Sequence, residues 1–214
     1  MLRARPENYV LDHRQNHVIT KLELVFVSQL DFSEDIQTEI QNYNYQTILD
    51  KLPGTGFNFY TQFDNGGIKV VGLDDWDTII HQEKPTYIEK IQSLIINEWK
   101  NIDPTAVIGP NLRTNLNVGI MNDRQSDVHL DVTGTWVKEW SALVHLNDSD
   151  GPTDFVTSKI MQDVILSIPF KPGQLIIFPS VYAHRGSVPT TNNRCTINYM
   201  FNVDTELNKQ VLKR

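Results

Sequence analysis

Asp127-Val128-His129-Leu130-Asp131 opens the stretch whose reading decides the fold, and Ala183-His184-Arg185-Gly186 followed by Asn193-Arg194-Cys195-Thr196-Ile197-Asn198 closes it. In an extended strand, residues i and i+2 point to the same side, so His129 and Asp131 reach into one cavity together. An imidazole and a carboxylate are two ligands for a divalent cation of borderline softness. A second imidazole from a distant strand completes a two-histidine, one-carboxylate set that leaves positions open on Fe(II). His184 is the candidate for that third ligand. Arg194 adds a fixed cation whose planar fork suits a carboxylate. His-x-Asp alone also describes a surface pair at a strand end, and only the whole series of residues points to a metal site.

Working outward, the pattern from Asn111 onward has the period of strands. Leu112–Met121, Asp127–Asp131, Trp140–Asn147, Thr153–Thr157, Val164–Ile168, Gln174–Pro179 and Arg194–Val203 are short apolar or alternating runs with turn residues between them, which points to a sandwich or barrel. Upstream, Leu22–Val27 reads as a strand. Ser33 reads as the N-cap of a helix to about Gln41, with Glu34 and Asp35 in its first turn. Thr86 and Glu89 have capping-box spacing. Ile88, Ile91, Leu94, Ile95 and Trp99 then recur at helical intervals, predicting a helix over about 86–100 that buries this stripe against a sheet. Ile68–Val71 reads as a strand. Residues 43–66, with Phe57, Phe59, Tyr60 and Phe63, read as a loop that either lies near a substrate mouth or is tucked onto the barrel. The expected fold is mainly β (α+β): a double-stranded β-helix, or jelly roll, backed by N-terminal helices. One domain is expected, with a helical and strand preface at 1–110 and the core at 111–203.

His-x-Asp at 129–131, Leu146-Asn147-Asp148, Gly151, Phe155, Lys171-Pro172-Gly173, His184 and Arg194 together resemble the Fe(II)/2-oxoglutarate dioxygenases, in particular the small prolyl-4-hydroxylase-like members. The resemblance covers about residues 111–203. It implies that His129, Asp131 and His184 hold iron and that Arg194 binds the distal carboxylate of 2-oxoglutarate, with O2 as the second cosubstrate. It also implies a hydroxylase acting on a peptidyl (for example prolyl) or small-molecule C–H bond, releasing succinate and CO2. Relatives that halogenate lack the carboxylate, and Asp131 is present. His145 stands where such proteins often carry a Tyr that meets the same distal carboxylate; it is either a donor to that group or a core histidine. Thr196, Asn198 and Met200 share the parity of Arg194 and should line the same interior. Asn115 and Asn117 share one face of the first core strand, with Asn117 a candidate cosubstrate contact. Trp136 and Trp140 either border the entrance or pack in the core. Pro152 departs from the Gly-Gly frequent in the family.

The chain has 214 residues, 40% of them hydrophobic and 21% charged, enough for a sizeable core. Its formal net charge of −7 gives no general attraction to nucleic acid or to an anionic membrane. No apolar run approaches the ~20 residues needed to span a bilayer. Met1–Asn8 has no apolar core of a signal peptide, and Cys195 is the only cysteine. A cytoplasmic, reducing setting is therefore expected, with Cys195 a small buried apolar residue. The expected partners are 2-oxoglutarate and an unidentified protein, peptide or small-molecule substrate. His13, His17 and His81 carry no assigned role. Two other readings stay open: a cupin-like metal-binding jelly roll acting as isomerase or binding module, which needs no Arg194, and a structural protein with a degenerate site.

Overall fold

The computed structural model describes residues 22–42, 85–123, 125–132 and 138–212, together with the backbone of 2–3, 59–64, 67–72 and 77–80. Its organising strand is Arg194–Asp204, which pairs antiparallel with Val107–Gly119 on one side and Glu139–His145 on the other. In chain order these are β12, β6 and β7. Gln174–Pro179 (β10) follows β7 outward, then Phe26–Gln29 (β2) and Leu2–Arg3 (β1). On the other flank β6 pairs with Phe59–Asp64 (β3), then Gly67–Gly72 (β4) and Asp77–Ile80 (β5). Among the described residues the result is one nine-stranded sheet. A smaller sheet of His184–Gly186 (β11), Thr153–Val156 (β8) and Val164–Ile168 (β9) faces it. The two sheets form the jelly roll read from the sequence.

Parity along β12 explains why it is buried on both sides. Cys195, Ile197, Tyr199, Phe201 and Val203 alternate with Arg194, Thr196, Asn198 and Met200, and all nine are buried. The first row packs under the helix Tyr87–Ile102 (α2), whose Ile88, Ile91, Ile95 and Trp99 are fully buried. The Tyr199 hydroxyl donates to the Ile88 carbonyl at 2.7 Å. Trp99 meets Trp140 of β7 edge to face, with centroids 4.9 Å apart, so Trp140 packs in the core. Its indole N–H donates to Asn208 at the start of a short helix, Asn208–Leu212 (α3). The second row of β12 looks into the space between the sheets.

Several expectations change. Thr86 and Glu89 do not form a capping box, because Thr86 makes no side-chain cap. Glu39 of the helix Glu34–Asn42 (α1) takes that place: its carboxylate accepts from the Thr86 hydroxyl and from the Tyr87 N–H at 2.8 Å, while Lys90 bridges Asp35 and Glu39. A carboxylate satisfies orphan N–H groups as well as a hydroxyl does. Ser33 likewise spends its hydroxyl on the Asp35 carboxylate. The strand read at Leu22–Val27 lies at Phe26–Gln29 instead, with Leu22, Leu24 and Val25 buried ahead of it. Residues 59–64, read as part of a loop, are strand β3 beside β6. The helices are not all upstream, since α3 follows the core. The strand read at 127–131 is reduced to a single bridge, His129 to His184, because the Asp131 N–H turns to the Ser180 carbonyl at 2.9 Å. Phe57, Trp136, His13, His17 and His81 lie outside the described residues.

Candidate metal centre

The bridge that replaces the expected strand builds the site. His129 N–H donates to the His184 carbonyl at 3.0 Å and His184 N–H to the His129 carbonyl at 3.1 Å. This exchange fixes the two rings side by side, with centroids 4.4 Å apart. Each ring then uses Nδ1 on a carbonyl two residues earlier: His129 on Asp127 and His184 on Tyr182, both at 2.9 Å. A carbonyl only accepts, so both Nδ1 atoms carry the proton and both Nε2 atoms present a lone pair. The lone pairs converge on Asp131, at 3.7 Å from Oδ1 for His129 and 3.5 Å from Oδ2 for His184. One ligand atom from each of the three residues lies within 4.8 Å of the others. Two lone pairs aimed at a carboxylate repel it unless a cation sits between them, which makes this donor set fit a divalent metal of the Fe(II) type.

The electrostatics agree. Burial pushes the Asp131 carboxyl up, but the imidazoles of His184 and His129, the Ser141 hydroxyl and Arg113 outweigh it and hold the group below the usual carboxylate range. Burial lowers His184 to about 4 against the pull of Asp131, so its ring is neutral and able to ligate at neutral pH. Asp131 is also oriented. Its Oδ2 accepts from Ser141 Oγ and from Asn198 Nδ2, both at 2.8 Å, which leaves Oδ1 the less engaged oxygen. Ser141 was not singled out from the sequence. Its inward parity with Leu143 and His145 on β7 was the available signal.

A cavity of about 310 Å³ runs from this centre along β6 and β12 to Arg194, the lower end of ligand-sized volumes. Arg194 is buried; Nε donates to the Gly151 carbonyl at 3.0 Å and Nη2 to Thr153 Oγ1 at 2.6 Å. The guanidinium lies over the Phe170 ring at 5.3 Å from its centroid. Burial lowers it to about 10, with Cys195 and Asp154 opposing. Among the described residues no carboxylate lies within ion-pair distance of it, and Nη1 takes no partner. A buried cation in this state is costly without an anion from outside. Gly186 keeps the approach open, since a Cβ there would stand 2.7 Å from Nη1. Between Arg194 and the metal ligands, Thr196 Oγ1 and Asn198 Oδ1 are buried, line the cavity and find no partner among the described residues. They are the polar atoms a small polar ligand would satisfy.

Asn117 and Asn115 both line the cavity. In the register of β6 against β12, Asn117 lies opposite Thr196 and Asn115 opposite Asn198. His145 lies opposite Thr196 on the other flank but does not line the cavity. Its ring stacks on Phe170 at 3.9 Å. Nδ1 accepts from the Lys171 N–H at 3.3 Å, so Nε2 carries the proton and donates to Thr153 Oγ1 at 3.4 Å. His145 thus supports the same hydroxyl that holds Arg194. Burial, with the Arg194 charge, lowers it to about 2 and keeps it neutral. Cys195 is buried and pushed up to about 12 by burial, as its parity implied. Arg113, Thr153 and Gly186 are site residues that the sequence reading left out.

No protein-family model matches the chain, and no curated protein matches it in sequence. Solved structures do match. A Pseudomonas putida prolyl-4-hydroxylase superposes with a TM-score of 0.53 at 11% identity, covering 83% of this chain and 91% of that one. A 2OG-Fe(II) oxygenase family oxidoreductase from Burkholderia pseudomallei gives 0.51 at 13% identity, with 83% and 84% covered. A Trichoplax adhaerens prolyl hydroxylase, solved with a hypoxia inducible factor peptide fragment, gives 0.54 at 12% identity, with 83% of each covered. The chain has the jelly-roll fold of these Fe(II)/2-oxoglutarate oxygenases.

Proposed function

We propose that this chain is an Fe(II)- and 2-oxoglutarate-dependent dioxygenase that hydroxylates a C–H bond of a peptidyl or small-molecule substrate. The observation that carries this reading is the pair of Nδ1-anchored histidines whose free Nε2 atoms converge with Asp131 at one end of a cavity that has an unpaired buried guanidinium at the other. His129, Asp131 and His184 would hold the iron, which would supply the oxidative chemistry in which O2 and 2-oxoglutarate are consumed, succinate and CO2 are released, and one oxygen atom enters the substrate. Arg194 would anchor the distal carboxylate of 2-oxoglutarate, and Thr196 and Asn117 lie along its length. Asn198 and Ser141 hold the Asp131 carboxylate in one rotamer. Val118, Leu130 and Leu143 add apolar surface to the cavity wall between these polar groups. A cupin-like binding module would give Arg194 no ligand to pair with.

The test is succinate release from 2-oxoglutarate with Fe(II) under air. The parent protein is expected to turn over and His129→Ala to be silent. Equal succinate from both overturns the assignment.

A further inference from the structure

Arg113 is a second guanidinium in the cavity, at the end away from Arg194. On β6 it lies opposite Met200, whereas Arg194 lies opposite Gly119. The Asp131-holding Asn198 is between them, so the metal ligands separate the two arginines. A β-bulge follows directly: Met200 pairs with Arg113 but Phe201 with Asn111, leaving Leu112 unpaired. The Arg113 backbone N–H is taken by the Asn111 side chain at 3.1 Å. Bulges of this kind re-aim side chains beside sites. Nε donates to the Asn115 carbonyl oxygen at 3.1 Å when that amide is turned to face it. Nη2 makes one long contact, 3.5 Å, to Asp131 Oδ1, and Nη1 has no partner among the described residues.

That one counter-ion is the oxygen left least engaged by Ser141 and Asn198, and hence the one free to ligate a metal. With a divalent cation held there, the Asp131 charge would be taken up and Arg113 would lie beside a cationic centre. The third arginine that lines the cavity among the described residues, Arg185, differs: it pairs with Asp154 at 3.8 Å. With 2-oxoglutarate drawn to Arg194, the guanidinium beyond the metal is left for the other reactant. We infer that the substrate carries a carboxylate, gripped by Arg113 next to the carbon that is oxidised. This deepens the dioxygenase reading and rests on it.

The test uses the full chain saturated with Mn(II) and 2-oxoglutarate, with binding followed by water-proton relaxation at the manganese. The probes are N-acetyl amino acids, their carboxamides, and N-acetylated peptide amides with a glutamate side chain as the only acid. At least one acid is expected to bind the parent about tenfold or more tightly than its amide, by loss of a charge-assisted bidentate contact. The arm that binds tells whether a small acid or an acidic peptide supplies the carboxylate. Arg113→Met is expected to lose the preference and Arg113→Lys to regain part of it, while Mn(II) and 2-oxoglutarate affinity do not fall. Amides binding as well as acids, no acid binding at all, or Arg113→Met keeping the preference overturns the inference. A parent that takes up Mn(II) but not 2-oxoglutarate overturns instead the reading on which it rests.

Discussion

The Asp131 carboxylate and the Arg194 guanidinium are both set by neighbours that ligate nothing. Ser141 and Asn198 fix Oδ2 of Asp131, and partners of this kind typically contribute 10–100-fold to metal affinity. Asn198→Ala is expected to weaken Mn(II) binding by roughly that factor, measured by calorimetry, with the melting temperature little changed. Gly186 stands against Arg194 with room for no Cβ. Gly186→Ala is therefore expected to raise the 2-oxoglutarate Kd by about tenfold or more through loss of the charge-assisted contact, leaving Mn(II) binding as it was. His145 gives a pH dependence. Its folded pKa is depressed to about 2, against about 6.5 unfolded. Above pH 6.5 both states are neutral and the group adds nothing. Below it the unfolded chain binds a proton that the folded one refuses, so stability falls as pH drops from 6.5 towards 2. The limit is about 1.4 kcal/mol per pH unit from this group. Urea unfolding of metal-free protein at pH 7 and pH 5.5 should show a larger loss for the parent than for His145→Gln.

At the scale of elements, α2 closes the outer face of β12 and β7, so that the inner face can be given to polar residues. Trp99 is fully buried and meets Trp140. Trp99→Ala is expected to cost about 3–5 kcal/mol of unfolding free energy, read from denaturant midpoints at unchanged slope. An exposed control on the same helix, Asn97→Ala, should stay within about 0.5 kcal/mol. The helix and its apolar stripe were legible from spacing alone. Its N-terminal partner was not, because Glu39 is remote in sequence and no local pattern names it. The strands of the core were legible for the same reason as the helix: parity is a local property. Strand β11, three residues long, was missed because its pairing comes from β8 and His129 rather than from its own composition.

For the whole molecule, the local code determined which side chains share a face: His129 with Asp131, Arg194 with Thr196 and Asn198, Asn115 with Asn117. It also determined, through composition and the strand–turn rhythm, that the chain would bury a β core. Among the described residues no helix is long and apolar enough to cross a membrane. The tertiary structure alone decided which faces meet. It placed Ser141 under Asp131, turned Arg113 into the far end of the cavity, set Thr153 between His145 and Arg194, and stacked His145 on Phe170 behind the cavity wall, the core position that was one of its two readings. It also enlarged the main sheet with β3, β4 and β5 from the upstream segment. The physical reason is that strand pairing and side-chain hydrogen bonds join residues far apart in the chain. Local propensity fixes where a side chain points relative to its neighbours, and only packing fixes what stands opposite.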